Sequence, residues 1–245
     1  MKLSHSFLIT TSPKRLSNRD ERLVVLDIPT EIVADYDYRT LSLSELEERY
    51  EPGAFGIRYG CFPSPGAIGC AAAHRHCYEA IVRDNGDCAL IMEDDYRSDG
   101  NLDLIVSRLI DIQVEWDVIS LKITNGIFHP DPIARHDIGN VYTTTVANYG
   151  TYAYLIKRKA AVKMLEKQSP KIQHLSDWPL EAWQFKLLGL HTHLGGLTDR
   201  QSTVQQDFRS HPSKIYQLLY RVRKFMYRLR RAYRLKVCKD IIIDT

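Results

Sequence analysis

A five-residue apolar run, Cys88-Ala89-Leu90-Ile91-Met92, leads directly into three consecutive carboxylates, Glu93-Asp94-Asp95. Gly86-Asp87 precedes the run and Ser98-Asp99-Gly100 follows it, so length and borders predict a strand buried on both faces. Strands of this kind form the inner part of an α/β sheet, where ligands gather outside the carboxyl ends. Three adjacent acids at such an end repel one another unless a cation or a hydrogen-bond donor lies among them. The fold therefore has to bury one end of this segment and neutralise the other.

The flanking sequence predicts alternating helices and strands. Residues 6–11 read as a first strand, followed by a loop around Pro13 and a polar, basic stretch over 14–22. Ser42-Leu43-Ser44-Glu45 has capping-box spacing for a short helix through Tyr50, which Pro52-Gly53 is expected to stop. Ile68, Ala71, Ala72, Tyr78, Ile81 and Val82 keep one face apolar over a helix at 67–84. Small residues from Gly69 to Ala73 suggest that its first turns press against another backbone. Leu102, Ile105, Val106, Leu109 and Ile110 have the spacing of an amphipathic helix, and 117–122 reads as a strand. Region 123–148 shows little periodicity and is expected to be irregular. A strand at 151–156 and a helix at 158–167 follow. Asp177 is placed to cap a further helix, with Leu180, Trp183, Leu187 and Leu188 as its buried stripe and Gly189 past its end. His191 to Leu194 reads as a short last strand. This order predicts an α/β fold with a mixed, mostly parallel central sheet flanked by helices.

The 245 residues suffice for one large domain, or a domain with an appendage. Five cysteines without a CxxC pair suit free thiols in a reducing compartment better than a disulfide framework or zinc site. No segment reaches the roughly 18 consecutive apolar residues of a membrane span, and the N-terminus is too short and polar for a secretory signal. A cytoplasmic location is the expectation. The net charge of +3 conceals an asymmetry: eleven of the 33 Lys and Arg lie between Arg209 and Lys239, a stretch without Asp or Glu. Ile215, Leu218, Leu219, Val222, Phe225, Met226, Leu229 and Tyr233 recur there at helical spacing. A basic amphipathic helix of this composition suits an interfacial membrane anchor, with a helix packed on its own domain as the alternative. Nothing resembles a nucleic-acid recognition module, so no nucleic-acid partner is expected.

Four blocks in order resemble glycosyltransferase family 25, which includes lipooligosaccharide galactosyl- and glucosyltransferases. These are the first strand with Arg19-Asp20-Glu21-Arg22, then Pro65-Gly66-Ala67-Ile68-Gly69-Cys70-Ala71-Ala72-Ala73-His74, then Ala89 to Asp95, and Gly150-Thr151-Tyr152-Ala153-Tyr154-Leu155-Ile156. Two positions depart from the family pattern: Ala67 stands where Glu or Gln is usual, and Ala73 where Ser is usual.

The resemblance implies a single GT-A-like domain over 1–205, with 206–245 as a basic tail. It also implies inverting transfer of a hexose, galactose before glucose, from a UDP-sugar to a lipid-linked lipooligosaccharide or LPS acceptor. The tail would then hold the protein peripherally at the inner leaflet of the cytoplasmic membrane. Departure of a diphosphate calls for Mn²⁺ or Mg²⁺ held by carboxylate oxygens. If the strand persists through the acids, Glu93 and Asp95 face one site and Asp94 the other. Asp95 is then the expected direct ligand, with Glu93 and His193 completing the shell. Thr10, Arg19, Arg22, Glu93 and Asp94 are expected on the nucleotide side. Asp177 is the expected general base and Glu181 its rival. Trp178, Asp199 and Ser202 are expected on the acceptor side, and His74 is expected to brace the sheet. A metal-dependent phosphohydrolase and a surface adaptor that has lost activity, the latter suggested by Ala67 and Ala73, are the alternatives.

Overall fold

The computed structural model describes residues 1–11, 16, 20–84, 86–98, 102–122, 126–146, 150–168, 170–176, 178, 184–192, 194, 196–197 and 214–243. Its first part contains β1 (Leu3–Ile9), β2 (Val24–Val25), β3 (Ile28–Val33), α1 (Leu43–Glu47), α2 (Pro52–Tyr59) and α3 (Pro65–Arg83). The acid-bearing strand is β4 (Cys88–Glu93), followed by β5 (Tyr96–Arg97), α4 (Leu102–Ile110) and β6 (Val118–Ser120). Then come β7 (Gly126–Phe128), β8 (Ala134–His136), β9 (Gly139–Val146), β10 (Ala153–Lys157) and α5 (Arg158–Gln168). The last elements are β11 (Leu187–His191), β12 (Gly196–Leu197), α6 (Lys214–Lys236) and β13 (Ile241–Ile243).

All strands except β5 and β12 join one mixed sheet in the order β13-β7-β9-β11-β6-β10-β4-β1-β3-β2, with β8 beside β9. In its centre β3, β1 and β4 pair in parallel, as do β6 and β11, while β10 runs back between β4 and β6. Helices cover both faces. Alternation along β4 sends Cys88, Leu90 and Met92 into a core with α4, and Ala89 and Ile91 into a core with α3 and α5. A nine-residue helix such as α4 is marginal alone. Its five buried apolar side chains, at about 1.5–3 kcal/mol each, hold it to the sheet.

The helix α3 begins where Ser64 accepts a hydrogen bond from the Ala67 amide and Pro65 occupies the first turn. Its close approach to another backbone is real: a Cβ on Gly69 would lie 2.0 Å from the Tyr36 carbonyl oxygen. The capping box of α1 also forms, with the Ser42 amide donating to Glu45 and the Glu45 amide to Ser42.

Three expectations need correction. Pro52 does not end helical structure but starts α2, because a proline at the first helical position loses no hydrogen bond. Region 123–148 is not irregular: β7, β8 and β9 lie in it, and β9 buries Val141, Thr144 and Val146 against a polar, threonine-rich background. Leu187, Leu188 and Gly189 are strand β11 rather than the end of a helix, pairing with β6 and β9. At the C-terminal end, α6 rests on α2, and β13 pairs antiparallel with β7 through Ile241–Phe128 and Ile242–Ile127.

Candidate functional site

The parity of β4 decides what each acid meets. Glu93 shares the face of Ala89 and Ile91, so its carboxylate turns toward α3, where His74 points back at it. His74 Nε2 lies 3.1 Å from Glu93 Oε1, and Thr151 Oγ1 donates to the same oxygen at 2.7 Å. Because an ionised carboxylate only accepts, Nε2 carries the proton. His74 Nδ1 meets the Tyr154 hydroxyl at 2.7 Å, which meets the Tyr78 hydroxyl at 2.9 Å. Burial opposes the Glu93 charge, but the hydrogen bonds from His74 and Thr151 outweigh it and hold the carboxyl below its usual range. His74 thus links α3 to β4 and β10, the bracing role its sequence position suggested.

Asp94 goes to the other face. Thr10, one residue beyond β1, donates to Asp94 Oδ2 at 2.6 Å. Arg22 donates to the Asp94 carbonyl at 3.0 Å and the Tyr96 carbonyl at 2.9 Å, while its other nitrogens grip Asp20 at 2.8 and 2.6 Å. That fork pulls the Asp20 carboxyl below its usual range and fixes the loop 20–22 to the acidic turn.

Asp95 is different. The strand ends at Glu93, and Asp94 and Asp95 form the turn into β5, so the alternation expected to set Glu93 and Asp95 side by side stops short. Asp95 Oδ1 is buried, and no described residue gives it a hydrogen bond. Burial, followed by the negative charges of Glu93 and Asp94, pushes this carboxyl up to about 7. Of the three acids, only Asp95 has a buried carboxylate oxygen that no described residue hydrogen-bonds. Beside the turn, β12 pairs with β5, Gly196 opposite Arg97 and Leu197 opposite Tyr96.

A second donor set lies nearby: ligand atoms of Cys70, His74 and Glu93 are all within 4.8 Å of one another. An ion there would have to break the His74–Glu93 hydrogen bond, whereas one at Asp95 Oδ1 breaks none. A cleft of about 630 Å³ at the opposite end of β6 is lined by Lys159, Lys163 and Lys186. Two of those lysines are already paired with Asp117 and Glu115, and none of the expected site residues reaches it.

Thr10, Arg22, Glu93, Asp94 and Asp95 are therefore brought together. Trp178 is not with them: its ring is 3 % exposed, edge-on to Tyr154 with centroids 5.1 Å apart, and close to Phe185. This is core packing and corrects the expected acceptor-side role. Arg19, Asp177, Glu181, His193, Asp199 and Ser202 lie outside the described residues. The departures Ala67 and Ala73 are both 1 % exposed, so each fills a packed position. Sequence reading passed over Thr151 as a partner of Glu93 and Tyr154 as a partner of His74. It also passed over Lys122, buried just past β6 at the same end of the sheet.

No curated protein matches the sequence. Among solved structures, the crystal structure of A197 from STIV is similar over 86 % of this chain and 98 % of that one, at 12 % identity and a TM-score of 0.41. The model of glycosyltransferase family 25 (LPS biosynthesis protein) matches residues 6–178. That span begins in β1, runs through α3, the acidic turn and β10, and thus encloses every described residue of the site. With most of its length matched, this chain belongs to glycosyltransferase family 25, the LPS biosynthesis glycosyltransferases.

Proposed function

We propose that this glycosyltransferase moves a hexose, galactose before glucose, from a UDP-sugar to a lipooligosaccharide or LPS acceptor, with a GT-A-like placement of the donor at the end of β4. Asp95 carries the reading. A buried carboxylate oxygen without a hydrogen bond, beside two like charges, calls for a cation. Mn²⁺ and Mg²⁺ are hard ions that take oxygen ligands, and Asp95 would hold one through its unpartnered Oδ1. When bound, such an ion offsets the charge that grows on a departing diphosphate.

The protein's own contribution is rigidity. Thr10 fixes the Asp94 carboxylate, Arg22 fixes two carbonyls of the turn, and His74 with Thr151 fixes Glu93. The acids therefore keep their positions as charge develops, which is the condition for strong electrostatic stabilisation. Asp177, with Glu181 as rival, is our assignment for the group that takes the acceptor proton. A single displacement with inversion follows from that assignment, and the anomeric proton coupling of the product reads it directly.

Isothermal titration with UDP, with and without Mn²⁺, tests the reading. Wild type should bind UDP more tightly with Mn²⁺, and Asp95→Ala should lose that gain, a change of about tenfold or more. Absence of UDP binding to the wild type sinks the transfer reading. An undiminished Mn²⁺ effect in Asp95→Ala removes the residue from the metal shell. Turnover of UDP-galactose against UDP-glucose then settles the donor.

A further inference from the structure

The helix α6 is amphipathic, yet it is mounted with its apolar side outward. None of its 23 residues is buried. Half-buried positions recur every three or four residues, at Tyr216, Tyr220, Arg223, Tyr227, Arg230 with Arg231, and Arg234, and form the side nearer the protein. Tyr216 lies against Gly53 and Gly56 of α2, where a Cβ would come within 3.2 and 3.1 Å of it. Tyr220 lies against Gly60, where a Cβ would come within 2.5 Å. Gly60 has φ +71°, so this C-cap glycine both ends α2 and leaves room for the ring. At its other end Arg234 donates to the buried Asp240 at 2.6 Å, and Thr145 of β9 donates to the same carboxylate at 2.6 Å. Both ends of α6 are thus tied down, which fixes its rotation about its own axis.

That rotation presents Leu218, Leu219, Val222, Phe225, Met226 and Leu229 to solvent, with Phe225 60 % and Met226 59 % exposed. Their spacing places them on one face, and no described residue covers them. Arg221, Lys224 and Arg228 are exposed along its flank. Over its length α6 carries nine Lys and Arg and no acid. A partner for this face must offer apolar depth and negative charge together. A second copy of the chain would set the exposed Arg221, Lys224 and Arg228 against the same positive charges. No helix among the described residues is long and apolar enough to cross a membrane.

We propose that α6 lies flat in the surface of an anionic lipid bilayer, its apolar face among the acyl chains and the exposed Arg221, Lys224 and Arg228 at the headgroups. At 1.5 Å per residue, the contact is roughly 35 Å long. Because α6 is clamped to α2 and β9, attachment also sets the orientation of the sheet relative to the lipid. The inference rests on α6 alone and stands whether or not the transfer reading holds.

Co-sedimentation of the full chain with equimolar phosphatidylcholine–phosphatidylglycerol vesicles is the test, with pure phosphatidylcholine vesicles alongside. Wild type should bind the mixed vesicles at low salt, bind the neutral ones at least about tenfold less, and be released as salt rises. The double variant Phe225→Asp, Met226→Asp should lose binding about tenfold or more with an unchanged melting temperature, since both side chains are exposed. A Phe225→Trp variant should show a blue-shifted emission on the mixed vesicles only. The proposal is overturned if wild type ignores anionic vesicles, or if the double variant binds them as well as wild type. It is equally overturned if light scattering shows a dimer that the double variant dissolves, which would make a second copy the occupant.

Discussion

The helices α3 and α6 are the longest in the molecule's described part, and they use their apolar residues in opposite ways. Of the 19 residues of α3, eleven are buried; of the 23 in α6, none is. The apolar residues of α3 are mostly small, and Gly69 lets the helix approach the Tyr36 carbonyl as closely as backbone can. The apolar residues of α6 are large, yet they point away from the protein while tyrosines and arginines face it. Hydrophobicity alone therefore does not decide burial here. Side-chain size and the side on which a helix is clamped decide it, and α3 ends up building the site while α6 builds a surface.

This contrast can be broken most directly on α3. Gly69→Ala puts a Cβ where the Tyr36 carbonyl stands, and should cost about 3 kcal/mol of stability by urea unfolding. A loss under about 0.5 kcal/mol would mean the close approach is not what seats the helix. His74→Phe should cost about 1–3 kcal/mol by leaving half-buried Glu93 with a single donor. Its pH dependence has a defined sign. In wild type the folded Glu93 pKa is depressed, so its contribution is present above about 4.5 and lost as pH falls through the lower folded value. The gap between wild type and His74→Phe should accordingly be widest near neutrality and narrow toward pH 3. A constant gap would point to packing alone.

Asp95 has the opposite sign. Its folded pKa, about 7, lies above the unfolded value near 3.8, so folded protein holds the proton more tightly. Metal-free stability should then fall as pH rises from about 4 to about 7 and level off beyond. Asp95→Asn should flatten that slope, matching wild type at pH 4 and melting higher at pH 8. Mn²⁺ should restore wild type at pH 8 and leave the variant unmoved. The smallest effect belongs to α6: Leu219→Ser or Phe225→Ser, at exposed positions, should change stability by no more than about 0.5 kcal/mol. A larger loss would show that this face is covered in solution.

Much of the sheet was legible because its inner strands and the helices α3, α4 and α5 repeat their apolar residues at a clear period. The misreadings have a common cause. The apolar run Leu187-Leu188 fits a helix stripe and a buried strand equally well, and only its pairing with β6 and β9 decides. The alternation of β9 is carried by threonines as much as by valines, and Pro52 marks a start as readily as a stop. For the site, the acids could be found from sequence and so could Thr10 and Arg22. Their division of labour could not. That Glu93 is satisfied, Asp94 locked and Asp95 left wanting depends on where β4 ends and on which face of α3 carries His74.

The partners of the acidic turn are also far away along the chain: Thr10 and Asp94 are 84 residues apart, His74 and Tyr154 80, Thr151 and Glu93 58. Closing loops of that length is slow, and proteins dominated by such contacts fold late and over high barriers. During synthesis β4 emerges with β1 available beside it, but β10 follows only after some sixty further residues. Until then Glu93 lacks its Thr151 donor, and the β4 edge stands open to other chains. Truncation before β10 should therefore yield an aggregating fragment, and the acidic end of the sheet is finished only once Thr151 and β10 have been made.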